Sequence, residues 1–142
     1  MLNVADLMSE VVYTIASSAT VAEATQIMQQ SQMRALIVER RQHDMPYGIV
    51  TEQDIAFKVV ARELDPTRVI VQDIMRQPCI GVSPDLPMKE VLLLFADSGT
   101  QRAPVVADGK LLGVISVTDI IMKGIHPNGD ETAHSSILSS VG

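Results

Sequence analysis

The chain has 142 residues, is 46% apolar and 20% charged, and carries a formal net charge of −6. That is one domain's worth of chain with enough apolar content to bury a sizeable core. The acidic excess excludes general binding to nucleic acid or a membrane surface, which needs a basic face, and the scarcity of aromatics disfavours a stacking platform for single strands.

In chain order, Val4-Ala5-Asp6-Leu7-Met8 reads as a short helical turn, and Val71-Gln72-Asp73-Ile74-Met75 repeats it 67 residues on (4 to 71, 8 to 75). A first strand is expected near Val11 to Ile15, matched by Cys79 to Val82. Thr20-Val21-Ala22-Glu23 has the form of a capping box and opens an amphipathic helix with Val21, Ala24, Ile27 and Met28 at helical spacing. Met88, Val91, Leu92, Leu94 and Phe95 form its counterpart, which Ser98-Gly99 closes. The methionines at this spacing are core filler. A second strand starts at an Arg-Ala pair in both halves, Arg34-Ala35-Leu36-Ile37-Val38 and Arg102-Ala103-Pro104-Val105-Val106. It turns back through a long polar loop, Arg40 to Pro46, in the first half and through Asp108-Gly109, a strong hairpin signal, in the second.

The return strand runs into the stretch that the chain writes twice. Gly48-Ile49-Val50-Thr51-Glu52-Gln53-Asp54-Ile55-Ala56-Phe57-Lys58 recurs 65 residues later as Gly113-Val114-Ile115-Ser116-Val117-Thr118-Asp119-Ile120-Ile121-Met122-Lys123 (48 to 113, 58 to 123). A constant offset with matching chemistry is an internal repeat. Each copy predicts a strand entering a helix whose N-cap is the hydroxyl residue. The helices are expected from Glu52 to Leu64, stopped by Asp65-Pro66, and from Val117 to Lys123, stopped at Gly124. Each half thus reads β-α-β-β-α. About sixty residues are marginal alone, so the halves are expected to pack on each other about a pseudo-two-fold axis. The boundaries read as repeat one 1–64, linker 65–70, repeat two 71–124 and a flexible Ser-rich tail 125–142.

Thr51…Asp54 and Ser116…Asp119 have the form of capping boxes, and Asp54…Lys58 and Asp119…Lys123 the spacing of i,i+4 ion pairs worth a few tenths of a kcal/mol each. A hydroxyl, a carboxylate and an ammonium at a helix N-terminus are also a means of holding a sugar's hydroxyls and a phosphate. The two readings are compatible.

At this point the pattern resembles a pair of CBS (cystathionine-β-synthase) domains, a Bateman module, over about residues 1–124: Asp-[Leu/Ile]-Met opens each repeat, and Gly, two aliphatics, Ser/Thr, two spacers and Asp occur twice. The resemblance implies an α/β (α+β) fold, repeats paired through their sheets, a disc-like homodimer or higher oligomer, and adenosine ligands in the clefts. It implies regulation of a partner rather than catalysis. Asp54 and Asp119 would accept hydrogen bonds from the ribose hydroxyls, and Thr51 and Ser116 would contact ribose or α-phosphate. Lys58, Lys123, Arg34 and Arg102 would reach phosphate. Adenine would lie near Ile15, Leu36 and Ile37 in one cleft and near Val82, Pro104 and Val105 in the other.

The expected function is therefore an adenine-nucleotide sensor for AMP, ADP or ATP that controls a partner protein in trans, with the acidic balance favouring AMP or ADP. The alternative is a ligand-free dimeric scaffold in which the Thr/Ser-x-x-Asp motifs only cap helices. An enzyme is disfavoured: there is no nucleophile with a base beside it, no P-loop and no metal motif, and His43, His126 and His134 lack ligand spacing. No metal and no resident cofactor are expected. Cys79 is the only cysteine, so no intrachain disulfide forms. The longest wholly apolar run, Val91 to Ala96, is too short to span a membrane, and Met1 to Asp6 does not read as a signal peptide. The cytoplasm is the expected compartment. The tail could also begin a linker to a further module, such as a short disordered redox module of the kind that regulates carbon-fixation enzymes.

Overall fold

The structure, a computed structural model, describes residues 1–77, 79 and 81–126. The chain forms two compact units, one of residues 12–79 and one of residues 1–11 with 80 onward. It is a mixed α+β chain, and each unit has its own small sheet and its own core.

In the unit of residues 12–79, strands β1 (Thr14–Ile15), β2 (Ala35–Val38) and β3 (Gly48–Thr51) make a three-stranded sheet in that order, parallel between β1 and β2 and antiparallel between β2 and β3. Helix α2 (Val21–Ser31) is capped by the Thr20 hydroxyl, which accepts from the Glu23 N–H, and ends at Gln32 in the left-handed conformation. Its Val21, Ala24 and Met28 pack with Ile15, Leu36 and Val50 in the core, as their helical spacing requires.

The helix expected over 52–64 is not uniform. Helix α3 (Glu52–Ile55) widens into a π-helical turn, Ala56–Val60, where the Ala61 N–H donates 2.8 Å to the Ala56 carbonyl five residues back. It then runs into turns in which Glu63 has φ 57°. The widened turn buries Val59 completely while Phe57 and Val60 face outward. β-Branched Val59-Val60 is a weak helix pair, so burial of Val59 sets the local geometry.

In the other unit, helix α1 (Val4–Leu7) is followed, after 80, by α4 (Met88–Ser98), β4 (Arg102–Ala107), β5 (Lys110–Ser116) and α5 (Val117–Gly124). β4 and β5 pair antiparallel, joined by Asp108 at φ 53° and Gly109 at φ 74°, a two-residue turn with both centres left-handed. The strand expected over Cys79–Val82 is reduced to a single parallel bridge, Val82 to Val105; Ile80 lies outside the described residues. Helix α5 includes Gly124 instead of stopping before it, and His126 is still buried, so the packed chain continues into the stretch assigned to the tail. The tail from 127 on lies outside the described residues.

The spatial units cut across the sequence repeats. The opener of repeat two, a 3-10 turn at Val71–Asp73, sits in the unit with the body of repeat one, where Val71 and Ile74 enter the core. The opener of repeat one, α1, sits with the body of repeat two, where Val4 and Leu7 do the same. The bonds correspond. Val71 N–H donates to Ala19 and Gln72 N–H to Ser17, as Val4 N–H does to Leu86 and Ala5 N–H to Pro84. Arg76 pairs with Ile49 as Ser9 pairs with Val114. Connectivity accounts for the exchange. The opener at 71 follows the first body after a short linker and folds back onto it, which leaves α1 to complete the second.

Candidate functional site

Each duplicated motif stands where a strand becomes a helix. Thr51 ends β3 with φ −117° and ψ 165° and caps α3. Its hydroxyl oxygen accepts from the Asp54 N–H at 3.2 Å and its O–H donates to Asp54 Oδ2 at 3.1 Å. The Thr51 N–H donates to the same Oδ2 at 2.9 Å, completing a reciprocal capping box. Asp54 Oδ1 pairs with Lys58 Nζ at 3.2 Å, and that ammonium also donates 2.9 Å to the Ile74 carbonyl.

The second copy is similar but looser. The Ser116 Oγ accepts from the Asp119 N–H at 3.0 Å and donates to Asp119 Oδ2 at 2.9 Å. Lys123 Nζ lies 3.4 Å from Asp119 Oδ1 and donates 3.3 Å to the Leu7 carbonyl. The capping box is complete only in the first copy. The structure thus brings Thr51, Asp54 and Lys58 together, and likewise Ser116, Asp119 and Lys123. Both lysines are anchored on the carbonyl that ends the neighbouring opener.

Of the remaining residues named from the sequence, Arg102 is the register partner of Ser116 across β4 and β5, and the Arg34 carbonyl accepts from the Glu52 N–H at 2.9 Å. Ile15, Leu36, Val82 and Val105 belong to the cores of their units, and Ile37 and Pro104 are buried. Arg34 is exposed and lines a cavity of about 400 Å³ between α2 and the α3 region, together with Met28, Gln32, Glu52, Ile55 and Val60. Neither Asp54 nor Lys58 lines that cavity. Arg102 is half-buried at the start of β4.

Two polar arrangements escaped the sequence reading. Asn3 and Asp6 form a reciprocal capping box on α1, a signal legible in Asn-x-x-Asp. Arg41, in the long turn after β2, donates to the Ser17 hydroxyl at 3.2 Å and to the Gln72 side chain, tying that turn to the exchanged opener. Arg40 beside it stacks over Tyr47 at 4.3 Å. Among the described residues no group of three or more His, Cys, Asp or Glu could hold a metal ion, and no helix is long and apolar enough to cross a membrane.

A protein whose two halves share one strand-to-helix motif, each completed by the opener of the other, is a tandem-repeat module of the Bateman type. The CBS domain model matches residues 4–61 and 71–125, and the chain belongs to the CBS-domain family. It is 42% identical over 86 residues to the uncharacterized protein MK0525 of Methanopyrus kandleri, a match spanning 60% of this chain and 44% of that protein. The structure is similar to a hexameric CBS-CP12 protein from bloom-forming cyanobacteria, with a TM-score of 0.84 and 46% identity over 87% of this chain and 71% of that one. It is also similar to the CBS domain pair of protein MJ0100 in complex with 5′-methylthioadenosine and S-adenosylmethionine, with a TM-score of 0.74 and 25% identity over 85% and 94% of the two chains.

Proposed function

We propose that this chain is a non-catalytic regulatory module that binds an adenine nucleotide, AMP, ADP or ATP, and controls a partner protein in trans from the cytoplasm. The observation that carries the reading is the duplicated constellation Thr51–Asp54–Lys58 and Ser116–Asp119–Lys123 within a CBS-domain pair. An ionised carboxylate is acceptor-only, which suits the two donors of a ribose diol. The adenosine-bound pair from MJ0100 supports the ligand class. No resident cofactor is needed. A homodimer or higher homo-oligomer is part of the proposal, supported by the hexameric relative and by apolar side chains exposed on the helix of each motif, Phe57 and Val60 in one and Ile121 and Met122 in the other.

The ligand-free scaffold has its own support in the complete capping box at Thr51–Asp54 and the two internal ion pairs, which give both carboxylates structural work. Thermal unfolding with and without millimolar AMP, ADP and ATP separates the two readings. Ligand at about a hundred times its dissociation constant adds about 2.7 kcal/mol, a midpoint rise on the order of 5 °C or more for a chain of this size. A rise in wild type that an Asp54→Ala/Asp119→Ala double variant loses supports the sensor. No rise with any of the three leaves the scaffold.

A further inference from the structure

We propose that Met8 and Met75 are paired oxidation sites: conversion of either thioether to the sulfoxide by a peroxide unseats the opener that carries it. Its basis is the geometry of the openers, and it holds whether or not the module binds a nucleotide.

Each opener ends on a methionine held through three successive residues. The residue before it, Leu7 or Ile74, is buried and gives its carbonyl to Lys123 or Lys58. The residue after it pairs with the strand that enters the motif, Ser9 with Val114 and Arg76 with Ile49. The methionine itself lies over the glycine that opens the duplicated stretch. A Cβ on Gly113 would come within 3.2 Å of the Met8 sulfur, and one on Gly48 within 2.8 Å of the Met75 sulfur. The missing side chain is thus the seat, and the thioether, slender and polarizable, fills it. Both methionines are half-buried and pack against the core of their own unit.

A sulfoxide does not suit this seat. Peroxide oxidises the sulfur by two electrons. A sulfur lone pair forms an S–O bond, the O–O bond breaks, and the released hydroxide takes the proton of the transferred O–H and leaves as water. The product is polar and needs a donor. The backbone N–H groups around each seat are already committed. Met8 donates to Val4, Ser9 to Val114 and Val114 to Ser9; Met75 donates to Val71, Arg76 to Ile49 and Ile49 to Arg76. The new oxygen must therefore turn to water, which takes the side chain off the glycine and off the core. Half burial leaves both sulfurs within reach of a small oxidant, whereas Met28 and Met88 are buried.

Treatment of the full chain with hydrogen peroxide, with each methionine followed by peptide mass spectrometry alongside melting, tests this. Met8 and Met75 are expected to oxidise in the folded chain sooner than Met28 and Met88. Once both are sulfoxides the melting temperature is expected to fall by about 5 °C or more. Amide exchange should rise at residues 4–9 and 71–76 above the rest, and methionine sulfoxide reductases should restore both readings. In a Met8→Leu/Met75→Leu variant, close in volume to wild type, most of that fall should be abolished. Met8 and Met75 oxidising no sooner than the buried pair, or an equal fall in the leucine variant, overturns the proposal. If that variant does not fold, exchange in peroxide-treated wild type decides: protection retained at both openers with both sulfoxides formed overturns it as well.

Discussion

The Lys58 ammonium donates 2.9 Å to the carbonyl of Ile74, sixteen residues away in the exchanged opener, while holding Asp54 in its own helix. Lys123 does the same to Leu7 across more than a hundred residues. Ile74 and Leu7 are buried, so each lysine satisfies a carbonyl that has few other sources of donors. Bonds from charged donors contribute about 1.5–3 kcal/mol, and the half-exposed lysine side chains place these at or below the low end. Lys58→Met is expected to cost about 1 kcal/mol in urea unfolding and to raise amide hydrogen exchange at residues 71–76 more than elsewhere. Uniform exchange would show that the lysine does not hold the opener.

Gly113 and Gly48 occupy matching places, yet their surroundings predict different tolerance. A Cβ on Gly113 would collide with the backbone carbonyl of Ser9, which is paired with Val114. A Cβ on Gly48 would meet the Met75 sulfur at 2.8 Å and Val38 Cβ at 3.2 Å. Methionine swings aside; a paired backbone does not. Gly113→Ala is expected to cost about 3 kcal/mol and Gly48→Ala about 1 kcal/mol, within the range for overpacked sites. Denaturant midpoints of the two variants measured side by side check the order, and equal costs would refute it.

These glycines mark where the sequence was legible and where it was not. Gly48 and Gly113 announced the repeat, and the Asp-to-Lys spacing placed each ion pair. Asp108-Gly109 specified its hairpin because few residues accept two consecutive left-handed centres. Those are local signals. The exchange of openers is not local: Ser9 bonds to Val114 and Lys123 to Leu7, and periodicity says which face of an element is apolar without naming what covers it. The π-helical turn at Ala56–Val60 was hidden for a related reason, since burial of Val59, a tertiary effect, sets it. At the site, both Asp–Lys pairs could be read from spacing, but that the capping box closes fully at Thr51 and not at Ser116 depends on individual hydrogen bonds. Arg34, which the resemblance assigns to phosphate, lines a cavity together with Glu52 and Ile55, a grouping that depends on how α2 and the α3 region pack.

Cys79 gives a pH dependence with a definite sign. Burial pushes its thiol up to about 11 from an ordinary value of 9.0. The folded chain therefore keeps its proton where the unfolded chain has lost it. The stabilisation is fully present below about pH 9 and is lost as the pH rises through about 11. Wild type should lose stability relative to Cys79→Ala across that window, read as the difference between their melting curves. At neutral pH the thiol should react with iodoacetamide more slowly than a free cysteine does. A constant difference from pH 8 to 11 would contradict the shifted thiol.

The helices that carry the motifs expose large apolar side chains. Phe57 is 66% and Val60 64% exposed on the first, and Met122 is 73% and Ile121 55% exposed on the second. Scattered apolar residues on a surface need no explanation, but here each repeat exposes them at equivalent positions: Phe57 matches Met122, and Ala56 matches Ile121. Oligomers of one chain bury like patches against like, so a duplicated apolar helix face suits self-association. Charges placed there should not disturb the cores, because neither side chain belongs to one. Phe57→Glu with Met122→Glu is expected to keep the melting of a folded chain while reducing the mass in light scattering by half or more. An unchanged mass would move the interface to another face, and a monomeric wild type would remove self-association from the proposal.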